Sequence, residues 1–196
     1  MTHKKVFQSL TLSLNSKVTV DQKIEAEIVA RVLKGDRKAY AMLVEEYKSP
    51  VYNLAYRMTG NSSDADDLTQ ETFIRAYKYL WRYDSKRKFF TWLYSISLNL
   101  IKNHIKKNKI ISKGVDGIRI LSAEQSNSLQ DRQFIENHDI NVYLLQVPYK
   151  LRSLIIMKYH QELSFEEIAQ ITGKSLSAVK MSIYRGLESL KKMIKD

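Results

Sequence analysis

The chain has 196 residues, room for one medium domain or two small ones, each obliged to bury its apolar surface economically. Its 32 Lys and Arg against 21 Asp and Glu leave a formal net charge of +11, which favours a polyanionic partner: nucleic acid first, an anionic membrane surface second. Cysteine is absent, which excludes disulfide frameworks and thiolate metal sites, and no apolar run is long enough to span a bilayer, so membrane insertion is not expected.

Residues 1–20 carry three lysines and scattered leucines interrupted by Ser, Gln and Asn. That pattern gives no signal-peptide core and is expected to be a poorly ordered, disordered extension of a cytoplasmic protein. From Asp21 to Lys34, Ile24, Ile28 and Val32, with Val29 and Leu33, predict an amphipathic helix that Gly35 ends. A second helix follows on Tyr40, Leu43, Val44, Tyr47, Val51, Leu54, Ala55 and Met58. Pro50 is expected to remove a donor in mid-helix, with Ser49 capping a restart. Gly60 and Asn61 close this segment, and Ser62, Ser63 and Asp64 open the next with side-chain acceptors and a carboxylate.

In the third helix Leu68, Thr72, Ala76 and Tyr79, with Phe73 and Leu80, are predicted to face inward. Asp67, Gln70, Glu71, Ile74 and Lys78 form the outer stripe. An isoleucine among exposed polar groups suggests a partner surface, although taken alone the stripe reads as an ordinary solvated face. The loop Asp84-Ser85-Lys86-Arg87-Lys88 then sets three cations beside two short hydrogen-bonding side chains, a composition that holds phosphate readily. From Phe89 onward, Phe89, Leu93, Ile96 and Leu100 give an apolar helix face. Beside it Trp92, Ser95, Asn99, Lys102 and Lys106 fall three or four apart on one side. Trp92 alone reads as core. The whole stripe suits unpaired nucleic acid, with a π-face for stacking, an amide for base edges and lysines for phosphates.

Residues 108–130, rich in Lys, Ser, Asn and Gly, are predicted to be a flexible linker, with helicity resuming near Asp131. Pro148 starts a helix carrying Leu151, Leu154, Ile155 and Met157. Ser164 and Glu167 form a capping box before Ile168, Ala169 and Ile171, and Gly173 makes the turn. Ser175 caps a last helix whose Leu176, Val179, Ile183, Leu187 and Leu190 point inward. Helix, glycine turn, helix is the helix-turn-helix pattern. Ser177, Lys180, Met181, Tyr184 and Arg185 lie off the apolar face toward the N-terminal half of that last helix, where recognition helices meet base edges.

Two blocks of this sequence carry a family resemblance. AYRMTGNSSDADDLTQETFIRAY, the loop RYDSKRKF and F-x-T-W-L-Y-x-I-x-x-N, in that order, resemble region 2 of the extracytoplasmic-function (ECF) sigma factors, the promoter-reading subunits of bacterial RNA polymerase. VPYKLRSLIIMKYHQELSFEEIAQITGKSLSAVKMSIYRGLESLKK is similar to sigma region 4. The resemblance implies an all-α protein of two small helical domains joined by a flexible linker: residues 21–107 as region 2, residues 131–196 as a region 4 helix-turn-helix. It further implies that Asp67, Gln70, Glu71 and Ile74 dock on core RNA polymerase. Ser85, Lys86, Arg87, Lys88, Trp92, Asn99 and Lys102 would bind the melted minus-10 element. Ser177, Lys180, Met181, Tyr184 and Arg185 would read the minus-35 element of promoter DNA. An anti-sigma factor is an expected partner; no cofactor, metal or catalytic residue is expected.

Two alternatives stand beside this reading. A dimeric helix-turn-helix transcriptional regulator would need neither a polymerase-docking helix nor a base-capturing loop. A magnesium enzyme built on Asp64, Asp66, Asp67 and Glu71 is disfavoured, because only Asp64, Asp67 and Glu71 share a helix face and acidic residues at a helix start ordinarily serve as caps.

Overall fold

The structure is a computed structural model that describes residues 22–114 and 138–195. Every regular element among them is helical: α1 (Gln22–Leu33), α2 (Arg37–Thr59), α3 (Ser62–Lys78), a 3-10 turn (Leu80–Arg82), α4 (Phe89–Gly114), α5 (His138–Gln146), α6 (Tyr149–Tyr159), α7 (Phe165–Thr172) and α8 (Leu176–Lys195). The all-α class that the resemblance implies is the class that forms among the described residues. α4 runs on past Lys107, where the linker was expected to begin. The predicted N-terminal extension, most of the linker and the restart near Asp131 lie outside the described residues.

Helix α2 is the hub. Leu43, Tyr47, Val51, Leu54, Ala55 and Met58 are almost wholly buried, and the helix packs on α1, α3 and α4 and also on α5 and α6. Each large apolar side chain buried this way contributes roughly 1.5–3 kcal/mol before the entropy of ordering it is set against the gain. The restart predicted at Ser49 does not occur, because α2 is one helix from Arg37 to Thr59 with Pro50 inside it. The hydrogen bond that Pro50 cannot make would have ended on Glu46, an exposed residue. The Pro50 carbonyl accepts the Tyr94 hydroxyl at 2.8 Å.

Other boundaries and faces differ from expectation in the same local way. Asn61, rather than Ser62 or Asp64, caps α3, its side chain accepting from the Asp64 N–H at 2.9 Å. Ile24 and Leu33 are exposed, since only the stripe Glu25, Ile28, Val29 and Val32 of α1 is buried. Tyr79, placed inward by spacing, caps the end of α3 and lies at the surface. Leu176 is exposed because the buried stripe of α8 begins at Val179. The capping box of Ser164 and Glu167, the left-handed Gly173 at φ 66° and the Ser175 cap of α8 are all present.

The two blocks do not stand apart. One apolar core runs from Val29, Leu43 and Phe89 through Met58 to Leu154, Met157, Ile168 and Ile183. A smaller cluster of Leu144, Val147, Ile155 and Leu190 closes the far side. Buried Arg152 of α6 donates to the carbonyls of Met58 at 2.6 Å, Leu145 at 2.5 Å and Val147 at 3.1 Å. Buried Arg57 of α2 donates to Asn141 of α5 at 2.7 Å. These guanidiniums fasten α5 and α6 onto the end of α2.

Candidate nucleic-acid interface

The loop between the 3-10 turn and α4 is shaped by short-range bonds. The Asp84 side chain accepts the Lys86 N–H at 3.0 Å, the Asp84 carbonyl accepts the Arg87 N–H at 2.9 Å, and the Tyr83 hydroxyl donates to the Arg87 carbonyl at 2.5 Å. Gln22 of α1 donates to the Ser85 carbonyl at 2.9 Å. Main-chain groups of the loop are thereby occupied while Ser85, Lys86, Arg87 and Lys88 all remain exposed.

The start of α4 is held by a residue that pattern reading passed over. Glu25 is buried, accepts the Phe89 N–H at 3.0 Å and accepts the Tyr47 hydroxyl. A carboxylate there satisfies a first-turn donor and complements the positive end of the helix dipole. Its signal was available: Glu25 shares the apolar stripe of Ile28, Val29 and Val32.

Along α4 the predicted stripe divides in two. Trp92 is half-buried, its ring 5.6 Å from those of Tyr83 and Phe89, and Ser95 donates to the Trp92 carbonyl at 2.6 Å. Asn99, Lys102 and Lys106 are exposed. Trp92 thus braces the loop from below, and an amide and two ammonium groups continue along the helix surface.

On α3, Asp67, Gln70 and Ile74 are exposed, with Ile74 at 60 %. Glu71 is half-buried in a 2.5 Å pair with Arg75. Asp64 pairs with His104 at 3.0 Å, and among the described residues no group of acidic and histidine side chains is placed to hold a metal ion. On α8, Ser177, Lys180, Met181, Tyr184 and Arg185 are all exposed on one side. The Lys180 ammonium lies 5.4 Å from the Phe165 ring of α7. α8 can approach α6 closely because Gly186 has no side chain: a Cβ there would sit 2.7 Å from Ile155.

The halves meet at the loop. Lys88 pairs with Glu167 of α7 at 2.7 Å, and a cleft of about 400 Å³ lies between them, lined by Gln22, Lys86, Arg87, Thr91, Ser164 and Gln170 as well as this pair. Burial raises the pKa of Glu167, but the Lys88 bond and the Ser164 N–H outweigh it, so the carboxyl lies below its ordinary value.

An exposed cationic loop, a polar helix face beside it and a separate helix-turn-helix are the parts of a sigma-70-type factor, and comparison with known proteins agrees. Residues 43–110 match Sigma-70 region 2 and residues 138–190 match Sigma-70, region 4. The chain is 36 % identical over 189 residues to the ECF RNA polymerase sigma factor SigW of Bacillus subtilis (strain 168), covering 86 % of this chain and 95 % of that one. It is 33 % identical over 180 residues to the ECF RNA polymerase sigma-E factor of Escherichia coli (strain K12), covering 87 % and 94 %. Among solved structures it is similar in fold to the sigma factor RpoE of Bartonella quintana, crystallised with the anti-sigma factor NepR (TM-score 0.68, 20 % identity, 81 % of this chain and 98 % of that one). It is likewise similar to CnrH in complex with the cytosolic domain of CnrY (TM-score 0.65, 20 % identity, 89 % and 97 %). The chain belongs to the ECF sigma factors of RNA polymerase. The dimeric regulator accounts for the second of the two matched regions and leaves the first without a purpose.

Proposed function

We propose that the chain docks on core RNA polymerase through Asp67, Gln70, Glu71 and Ile74 of α3. It reads the melted minus-10 strand with Ser85, Lys86, Arg87 and Lys88 of the loop and Trp92, Asn99 and Lys102 of α4. It reads the minus-35 element with Ser177, Lys180, Met181, Tyr184 and Arg185 of α8. The observation that carries this reading is the continuity of the exposed loop cations with exposed Asn99 and Lys102, over an aromatic floor of Tyr83, Phe89 and Trp92. Cations at that spacing neutralise phosphates, the amide addresses base edges, and half-buried Tyr83 and Trp92, with buried Phe89 behind them, leave ring surface for unpaired bases.

The protein opens DNA by binding the separated strand and performs no covalent chemistry of its own. It works in the cytoplasm, which accords with the absence, among the described residues, of a helix long and apolar enough to cross a membrane. An anti-sigma factor holds it in reserve, as NepR and CnrY accompany the two structural neighbours.

Transcription from a promoter library with purified core polymerase tests the reading. The chain should confer promoter-dependent initiation, and Asn99→Ala should lower open-complex formation more than closed-complex binding. Equal losses in both would remove the assignment to the melted strand.

A further inference from the structure

Immediately before the loop, the 3-10 turn buries Leu80 and turns its neighbours outward. Trp81 is 65 % exposed and Tyr79 lies at the surface beside it. The Arg82 guanidinium sits 4.7 Å from the Trp81 ring and 5.2 Å from the Tyr79 ring, and the Lys78 ammonium is 5.7 Å from Tyr79. From Lys78 to Arg82, two rings therefore lie between two cations, with buried Leu80 in the middle. No carboxylate occurs from Ala76 to Tyr83, and the Asp84 carboxylate that follows is bonded to the Lys86 N–H. Leaving an indole in water forgoes its burial, and nothing in the packing of the described helices uses this one.

We propose that Trp81, Arg82 and Tyr79 form a second stacking subsite for unpaired nucleic acid, continuous with the loop and extending the bound strand beyond it. This inference rests on the reading of Asn99, Lys102 and the loop as a single-strand site. The chemistry favours a strand over a protein partner. An indole with a guanidinium over it offers a base both π-stacking and a nearby charge for the adjoining phosphate, and the loop next to it adds Lys86 and Arg87. The acidic residues assigned to polymerase docking, Asp67 and Glu71, lie earlier on α3. Tyr83, pinned to the Arg87 carbonyl and packed on Phe89 and Trp92, joins the exposed rings to the aromatic floor.

The test is binding of the full-length chain to a labelled oligothymidylate of about 12 nucleotides, since stacking is tolerant of sequence. Trp81→Ala should weaken binding about tenfold, Trp81→Phe should recover most of that loss, and Arg82→Ala should reduce the salt slope by about one phosphate contact. Unchanged thermal melting separates these effects from misfolding. If Trp81→Ala bound the strand like the parent while Lys102→Ala weakened it, the subsite would be wrong and the main site would stand. If neither variant changed binding, or the parent did not bind, the single-strand reading itself would fail. Loss of affinity for core polymerase with strand binding intact would assign Trp81 to a protein contact and overturn the inference.

Discussion

His160 closes α6 with its ring buried and neither nitrogen hydrogen-bonded among the described residues. Burial, and after it the charge of Arg57, holds its pKa near 3 against an ordinary 6.5. Between those values the unfolded chain takes up a proton that the folded chain refuses. Stability from this residue is therefore complete above about pH 6.5 and falls as the pH drops, approaching about 1.4 kcal/mol per unit. Urea melts of the parent and of His160→Leu at about pH 6.5 and about pH 5 should show a smaller difference between the two pH values in the variant. Equal differences would mean that another group governs acid stability. Arg152 gives a second expectation. Its guanidinium satisfies three main-chain acceptors away from water, with burial lowering its own pKa to about 10. Arg152→Met keeps the stem and strands those carbonyls, at about 3 kcal/mol in thermal or chemical unfolding, and Arg152→Lys should fall between.

At the scale of elements, the tasks proposed for α3 and α8 are separable. Glu71→Ala with Ile74→Ala removes a half-buried acid paired with Arg75 and an exposed apolar side chain from α3, so affinity for core polymerase should drop while the melting temperature stays within a few degrees. Full retention of affinity would relocate the docking face. On α8, Arg185→Ala should relax preference at one upstream base pair at a cost of about 1–3 kcal/mol. Lys180→Ala should weaken all sequences alike and lower the salt slope by about one. Libraries selected with each protein separate the two behaviours.

Much of this architecture was legible because helical spacing and caps are local. Gly60, the Ser164–Glu167 box, Gly173 and Ser175 stand where the sequence puts them. The exposed candidates on α8 followed from the same periodicity. What escaped were residues whose surroundings come from distant chain. Glu25, Arg57 and Arg152 have no role in the local pattern, and nothing adjacent in sequence announces Phe89, Asn141 or Met58 as their partners. Tyr94 has no place in the pattern, yet it is fully buried with its hydroxyl on the Pro50 carbonyl; α2 continues through Pro50 because the bond that residue lacks would have ended on exposed Glu46. Tyr79 escaped for another reason: helical spacing points it inward, but α3 ends at Lys78 and the tight turn that follows leaves Tyr79 and Trp81 outside.

For the molecule as a whole, the shared core changes what two matched regions would suggest. Two domains on a tether would melt separately. Here Met58, Leu154, Met157 and Ile183 belong to one apolar cluster, and Arg57 and Arg152 tie the halves by buried bonds. The free chain should therefore unfold in one transition, with calorimetric and van't Hoff enthalpies in agreement, and Arg152→Met should split or broaden it. Two transitions in the parent would show that the halves are thermodynamically independent.

The Lys88–Glu167 pair gives the closed arrangement a further meaning. If Lys88 holds a phosphate as proposed, Glu167 is an anion already seated on that cation, and the chain carries its own competitor. A competitor on the same polypeptide cannot be diluted away, and it acts at an effective concentration set by the fold. If closed molecules outnumbered open ones by about a hundred to one, a strand that needs the open form would bind about a hundredfold more weakly than its contacts alone allow. Whatever holds the halves apart would restore that factor without touching the nucleic acid.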